Sequence, residues 1–171
     1  MGVLNLLLHT LHIAAGVLWA GGAILMGLFI VPSVLATRPE SGRFMQELTG
    51  PRRLLVFLPV VATITVVCGL AMFSPALGNL DAGVMRSPRG IALSLGALLA
   101  LGAYFEGLMV NTPSASKLGR LGRAIAASGA APTAEQAQQA QALQTKLARG
   151  AARGAWMLIV AVICMAAARW L

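Results

Sequence analysis

Two histidines, His9 and His12, stand three residues apart in an apolar run with no charged side chain over residues 1–37. Imidazole is a ligand for copper and an axial ligand for haem iron. Cys68, Met72, Cys164 and Met165 also fall in apolar runs. Thiolate and thioether are soft ligands for copper, and thioether is a second axial ligand for haem. The candidate metal or haem site is therefore His12, with His9, Met72, Cys164 or Met165 as second ligand. The other reading has both imidazoles hydrogen-bonded across helices, with Thr63, Thr65 or backbone carbonyls as partners. Glu106 is the one acidic residue within an apolar span. An ionisable side chain at membrane depth is a functional candidate by default. It reads either as a proton site or as an ion pair with Arg52, Arg53 or Arg153, Arg53 being the candidate partner.

These residues need a scaffold, and composition says which. The chain has 171 residues, 58% of them hydrophobic and 11% charged. A soluble domain carries about 25% charged residues. The fold class is all-α: a bundle of four membrane helices with a long C-terminal helix. Each crossing needs about 20 apolar residues. The spans are predicted at about 4–35, 52–73, 91–110 and 150–170. At about 100° per residue, His9, His12, Gly16, Trp19, Ala23 and Met26 share one stripe of the first helix, its inward face. Pro32 bends or ends that helix, and Pro51 suits the first turn of the second. Phe44, Glu47 and Leu48 suggest a short interfacial helix between them. Pro59 should kink the second helix. In the third, Ala92, Gly96 and Ala100 recur every four residues, a spacing that lets backbones approach. Asn111-Thr112-Pro113 reads as the end of the third helix. Lys117, Arg120 and Arg123, with Leu118, Leu121 and Ile125 between them, then suggest an amphipathic helix lying on anionic lipid. Thr133-Ala134-Glu135-Gln136 is a capping box. No proline follows it, so one continuous helix is expected from there to the C-terminus.

The formal charge of +8 does not point to nucleic acid, because Lys and Arg cluster at the ends of apolar runs. Ten of them lie on one side: Arg38, Arg43, Arg52, Arg53, Lys117, Arg120, Arg123, Lys146, Arg149 and Arg153. Three lie on the other: Arg86, Arg89 and Arg169. The positive-inside rule then puts loops 36–53 and 111–153 in the cytoplasm and both termini outside, in a bacterial-type inner membrane. With that sidedness, His9, His12, Cys68, Met72, Cys164 and Met165 all fall within roughly 10 Å of the outer interface. Trp170 belongs to an interfacial belt, and Trp19 and Trp156 fit either core or interface. No nucleophile–base pair, phosphate loop, HExxH or CxxC is present, so nothing argues for an enzyme.

The stretch Leu11-His12-Ile13 to Trp19-Ala20-Gly21-Gly22 resembles the first helix of the CopD-like (copper resistance D) membrane proteins. It also resembles HemJ-type protoporphyrinogen oxidases. Arg52-Arg53-Leu54, Pro59 and Gly69-Leu70 resemble the second helix of that group, and Leu147-Ala148-Arg149 to Arg169 the last. The CopD resemblance implies copper handling across the inner membrane. The HemJ resemblance implies a haem b-bearing oxidase. On either, His12 matches the family histidine and Arg53 a basic residue of helix two. HemJ-type proteins also carry His and Lys in later helices, and helix three here has neither. The alternative function is a non-catalytic accessory or scaffold subunit, in a larger membrane complex or a homo-oligomer.

Overall fold

The structure, a computed structural model, describes residues 2–37, 41–73 and 82–171. Arg38, counted above in the loop 36–53, lies outside the described residues. Among the described residues there are helices and no strands. In order they are α1 (Val3–Ala36), α2 (Gly42–Thr49), α3 (Leu54–Met72), α4 (Ala82–Arg86), α5 (Pro88–Ser128) and α6 (Ala134–Ala167). The four long ones are apolar enough to cross a membrane.

Antiparallel neighbours α1 and α3 pack closely, as do α5 and α6. Helix α6 also packs along α1 and closes the ring, whereas α3 and α5 meet more loosely. From His12 to Met26 the stripe of α1 faces inward as periodicity put it, whereas His9, its first member, is exposed. Trp19 is buried beside Ala15, Ala20, Val61, Ala62, Ala103 and Leu158. Its indole meets the Tyr104 ring edge-on, 6.4 Å between centroids. The Tyr104 hydroxyl reaches Thr63 Oγ1 at 3.1 Å. Leu6, Ile13, Val17, Phe29, Leu98 and Val162 are exposed on the outside of the bundle. A continuous apolar surface of that size suits lipid rather than water.

The sequence expects Pro32 to bend or end α1, and Asn111-Thr112-Pro113 to end the third long helix; neither proline ends its helix. Helix α1 runs through Pro32, and α5 runs through Asn111-Thr112-Pro113 to Ser128. In each, a π-turn precedes the proline, Met26–Ile30 in α1 and Gly107–Asn111 in α5. The Val31 N–H bonds Met26 O, and the Thr112 N–H bonds Gly107 O. Both are steps of five residues rather than four. A proline ring collides with the carbonyl one turn back in a regular helix. The wider turn relieves that collision without breaking the rod. The basic segment with Lys117, Arg120 and Arg123 is therefore not a separate surface helix. It continues α5 and packs along the first half of α6.

The other boundaries follow local chemistry. Ser41 Oγ donates to Val34 O at 2.8 Å and folds α2 back under the end of α1. Pro51 does not open α3. The helix starts at Leu54, after Arg53 in a left-handed conformation with φ 51°. Ser87 caps α5, its Oγ accepting from Gly90 N at 3.1 Å, and Pro88 takes the first turn. Pro59 lies inside an unbroken α3. Gly129, with φ 64°, ends α5. The capping box is formed in both directions: Gln136 N–H to Thr133 Oγ1 at 3.2 Å, and Thr133 N–H to Gln136 Oε1 at 2.9 Å. From there α6 runs unbroken through Gly150 and Gly154. Thr133→Ala should weaken this end by about 1 kcal/mol. Faster hydrogen exchange confined to the first turn of α6, with the C-terminal half unchanged, would show it.

Candidate functional site

His12 sits on the buried stripe of α1 and turns toward α3. Its Nδ1 lies 2.8 Å from the carbonyl oxygen of Thr65. A carbonyl only accepts, so Nδ1 carries the proton, and in the neutral imidazole Nε2 then keeps its lone pair. The Thr65 hydroxyl is turned back to Val61 O at 2.8 Å and leaves that carbonyl accessible. The imidazole fits because residue 69 is glycine. A Cβ there would lie 2.9 Å from Cε1 and 3.2 Å from Nδ1 of His12. Of the partners expected from sequence, the Thr65 backbone is the one used. Thr63 instead bonds Tyr104 and its own helix at Pro59 O.

His9, one turn nearer the N-terminus, is exposed, and its Nδ1 lies 2.8 Å from Asn5 O. It too keeps Nε2 open. Met72 is half-buried and stands on the α3 stripe of Thr65 and Gly69, one turn beyond Gly69. His12 and Met72 thus stand at one end of the α1–α3 interface, with His9 exposed one turn away on α1. Cys164 and Met165 do not join them. They pack on α5, where a Cβ at Gly96 would meet Met165 Cγ at 3.0 Å and Cys164 Cβ at 3.3 Å. Cys68 is buried and unpaired. Among the described residues, no three His, Cys, Asp or Glu side chains converge.

At the opposite end of the bundle, Glu106 immediately precedes the π-turn of α5. Its Oε1 accepts from Arg153 of α6 at 2.7 Å. The glutamate side chain is 15% exposed and the arginine 60%. Arg153 is thus the partner, rather than Arg53 or Arg52. Arg52 pairs with Glu47 at 3.2 Å, and Arg53 makes no ion pair among the described residues. Gly150, one turn before Arg153, makes room: a Cβ there would lie 2.7 Å from Glu106 Oε1 and would collide with Asn111 Oδ1. Lys117, Arg120 and Arg123 are exposed along the far half of α5.

Four residues matter in roles that the sequence alone did not assign to them. Gly69 and Gly150 are defined by what they face on another helix, which spacing cannot report. Tyr104 is the only tyrosine, and its place beside Trp19 needs two helices at once. Asn111 carried a signal, a carboxamide within an apolar stretch, but its neighbour Pro113 made it look like a helix end. Searches against protein-family models, characterised proteins and solved structures each found no match to this chain.

Proposed function

We propose that the protein is a CopD-like integral membrane protein that crosses the inner membrane four times and holds copper at its His12 end. The observation that carries this reading is the Nδ1 contact of His12 with Thr65 O. A hydrogen bond from one imidazole nitrogen to a carbonyl orients the other as a metal ligand and raises its basicity. His9 offers a second nitrogen in the same tautomer, and Met72 a thioether on the facing stripe. Two imidazoles and a thioether suit Cu(I). Haem iron would take the same His12 nitrogen. The ten-to-three division of Lys and Arg puts this end outside and the Glu106 end in the cytoplasm. Lys117, Arg120 and Arg123 then stand on the anionic, cytoplasmic side, within reach of acidic lipid head groups where the bilayer allows.

Purified protein should retain Cu(I) after passage over a chelating resin. His12→Ala should lose it, Met72→Leu should weaken it, and Cys164→Ser should leave it unchanged. Equal copper in wild type and His12→Ala overturns the reading. A Soret band lost in His12→Ala would move the assignment to haem. A second reading, an accessory or scaffold subunit, is favoured by the α5–α6 hairpin. It extends past the apolar spans and exposes Gln138, Gln141 and Thr145 on one face. Co-purification of a stoichiometric partner that is lost on shortening the hairpin would support it.

A further inference from the structure

We infer that the outward face of α6 holds an anionic phospholipid, its phosphate at Lys146, Arg149 and Arg153 and its chains along Trp156, Val160 and Ile163. The inference rests on the membrane-spanning reading above and is independent of copper. At about 100° per residue these six side chains share one stripe of α6, and all six are exposed. The stripe is basic up to Arg153 and apolar from Trp156 on. The change takes three residues, about 4.5 Å of rise. A phospholipid changes in the same sense, from a charged head to hydrocarbon. Tryptophan suits the level between them, and its indole N–H is a donor for an ester carbonyl.

Lys146, Arg149 and Arg153 line an open groove that has Gln138 and Thr145 among its other walls. Arg153 is matched by Glu106, so it brings donors rather than net charge. Lys146 and Arg149 make no ion pair or hydrogen bond among the described residues. Glu135, the one acidic residue of α6, lies about 16 Å along the axis from Lys146. The groove therefore keeps two uncompensated positive charges. The hydroxyls of Thr10, Thr49, Thr63 and Thr65 return to the carbonyl one turn back, whereas that of Thr145 makes no hydrogen bond among the described residues. Guanidinium and ammonium donors are what phosphate recognition uses. The occupant is a lipid because a free phosphate would leave Trp156, Val160 and Ile163 uncovered. The basic stripe of α5 lacks that continuation: its last exposed large apolar side chain, Met109, stands about 12 Å before Lys117.

The test uses the full chain, carrying Trp170→Phe, in phosphatidylcholine bilayers and reads tryptophan fluorescence. Trp19 is buried in the bundle and gives a constant baseline, so bromine on an acyl chain reports contact with Trp156. Dibrominated phosphatidylglycerol should quench at low mole fraction and saturate. Its apparent affinity should exceed that of dibrominated phosphatidylcholine at least about fivefold, the effect of one basic residue at an anionic surface. The double variant Lys146→Gln, Arg149→Gln should remove the preference, and since both side chains are exposed and unpaired the fold is expected to survive. Arg89→Gln, the same loss of charge at the other end of the bundle, should leave the preference intact. Equal quenching by the two lipids, a preference that survives the double variant, or one that Arg89→Gln also abolishes overturns the site. No quenching by either lipid overturns the membrane-spanning reading and the site with it.

Discussion

Gly27→Val should separate α1 from α6 and unfold the bundle at denaturant concentrations that leave the wild type intact. A Cβ at residue 27 would fall on the backbone carbonyl of Ala151 and lie 3.0 Å from Ala155 Cβ. The carbonyl belongs to a rigid helix and has nowhere to go, so the crossing itself must open. Overpacking of this kind costs about 1–3 kcal/mol for small insertions. Alanine should fall within that range and valine at or above its top. Gly21 is the control, since a Cβ there meets nothing within 4 Å. Gly21→Ala should be neutral or stabilising by up to about 1 kcal/mol, the helix-propensity difference. Unfolding in a mixed-micelle titration measures both. Equal midpoints for Gly27→Val and wild type would show that the α1–α6 contact contributes nothing.

Arg153→Met should destabilise the bundle more than Glu106→Gln, although the arginine is the more exposed partner. The arginine is 60% exposed and the glutamate 15%. Without Arg153, a mostly buried carboxylate loses its counter-charge. Without the glutamate, the arginine keeps most of its hydration. Removing a partner from a fully buried pair costs about 3–5 kcal/mol, and exposed pairs are worth about 0–1 kcal/mol. This half-buried pair falls between, at about 2 kcal/mol for Arg153→Met and under about 1 kcal/mol for Glu106→Gln. The double variant should recover most of the larger loss, and that coupling distinguishes a charge effect from lost packing of the arginine stem. Equal single losses that simply add would sink the argument.

Much of the architecture could be read from the chain because long apolar helices announce themselves locally. The uncharged run over residues 1–37, the stripe from His12 to Met26 and the capping box at Thr133 each depend on one segment alone. What escaped depends on two segments. Pro113 looked like a stop and Pro32 like a bend or a stop, because a proline forbids the regular four-residue step. The five-residue step that accommodates it is a property of the packed helix. Arg53 looked as good a partner for Glu106 as Arg153, since both lie at the same depth. The choice rests on Gly150, which lets α6 come close enough. Depth likewise grouped Cys164 and Met165 with His12, whereas the Gly96 contact turns them toward α5.

The two π-turns also leave a mark on how such a chain can vary. Each carries one residue more than the regular turn it replaces, and each is held open by the proline that follows. Deleting one residue from Met26–Ile30 would close the wide turn to a regular one and drive Pro32 into the preceding carbonyl. A deletion at Gly107–Asn111 would do the same to Pro113. The extra residue and its proline therefore act as one unit: losing the residue while keeping the proline strains the helix.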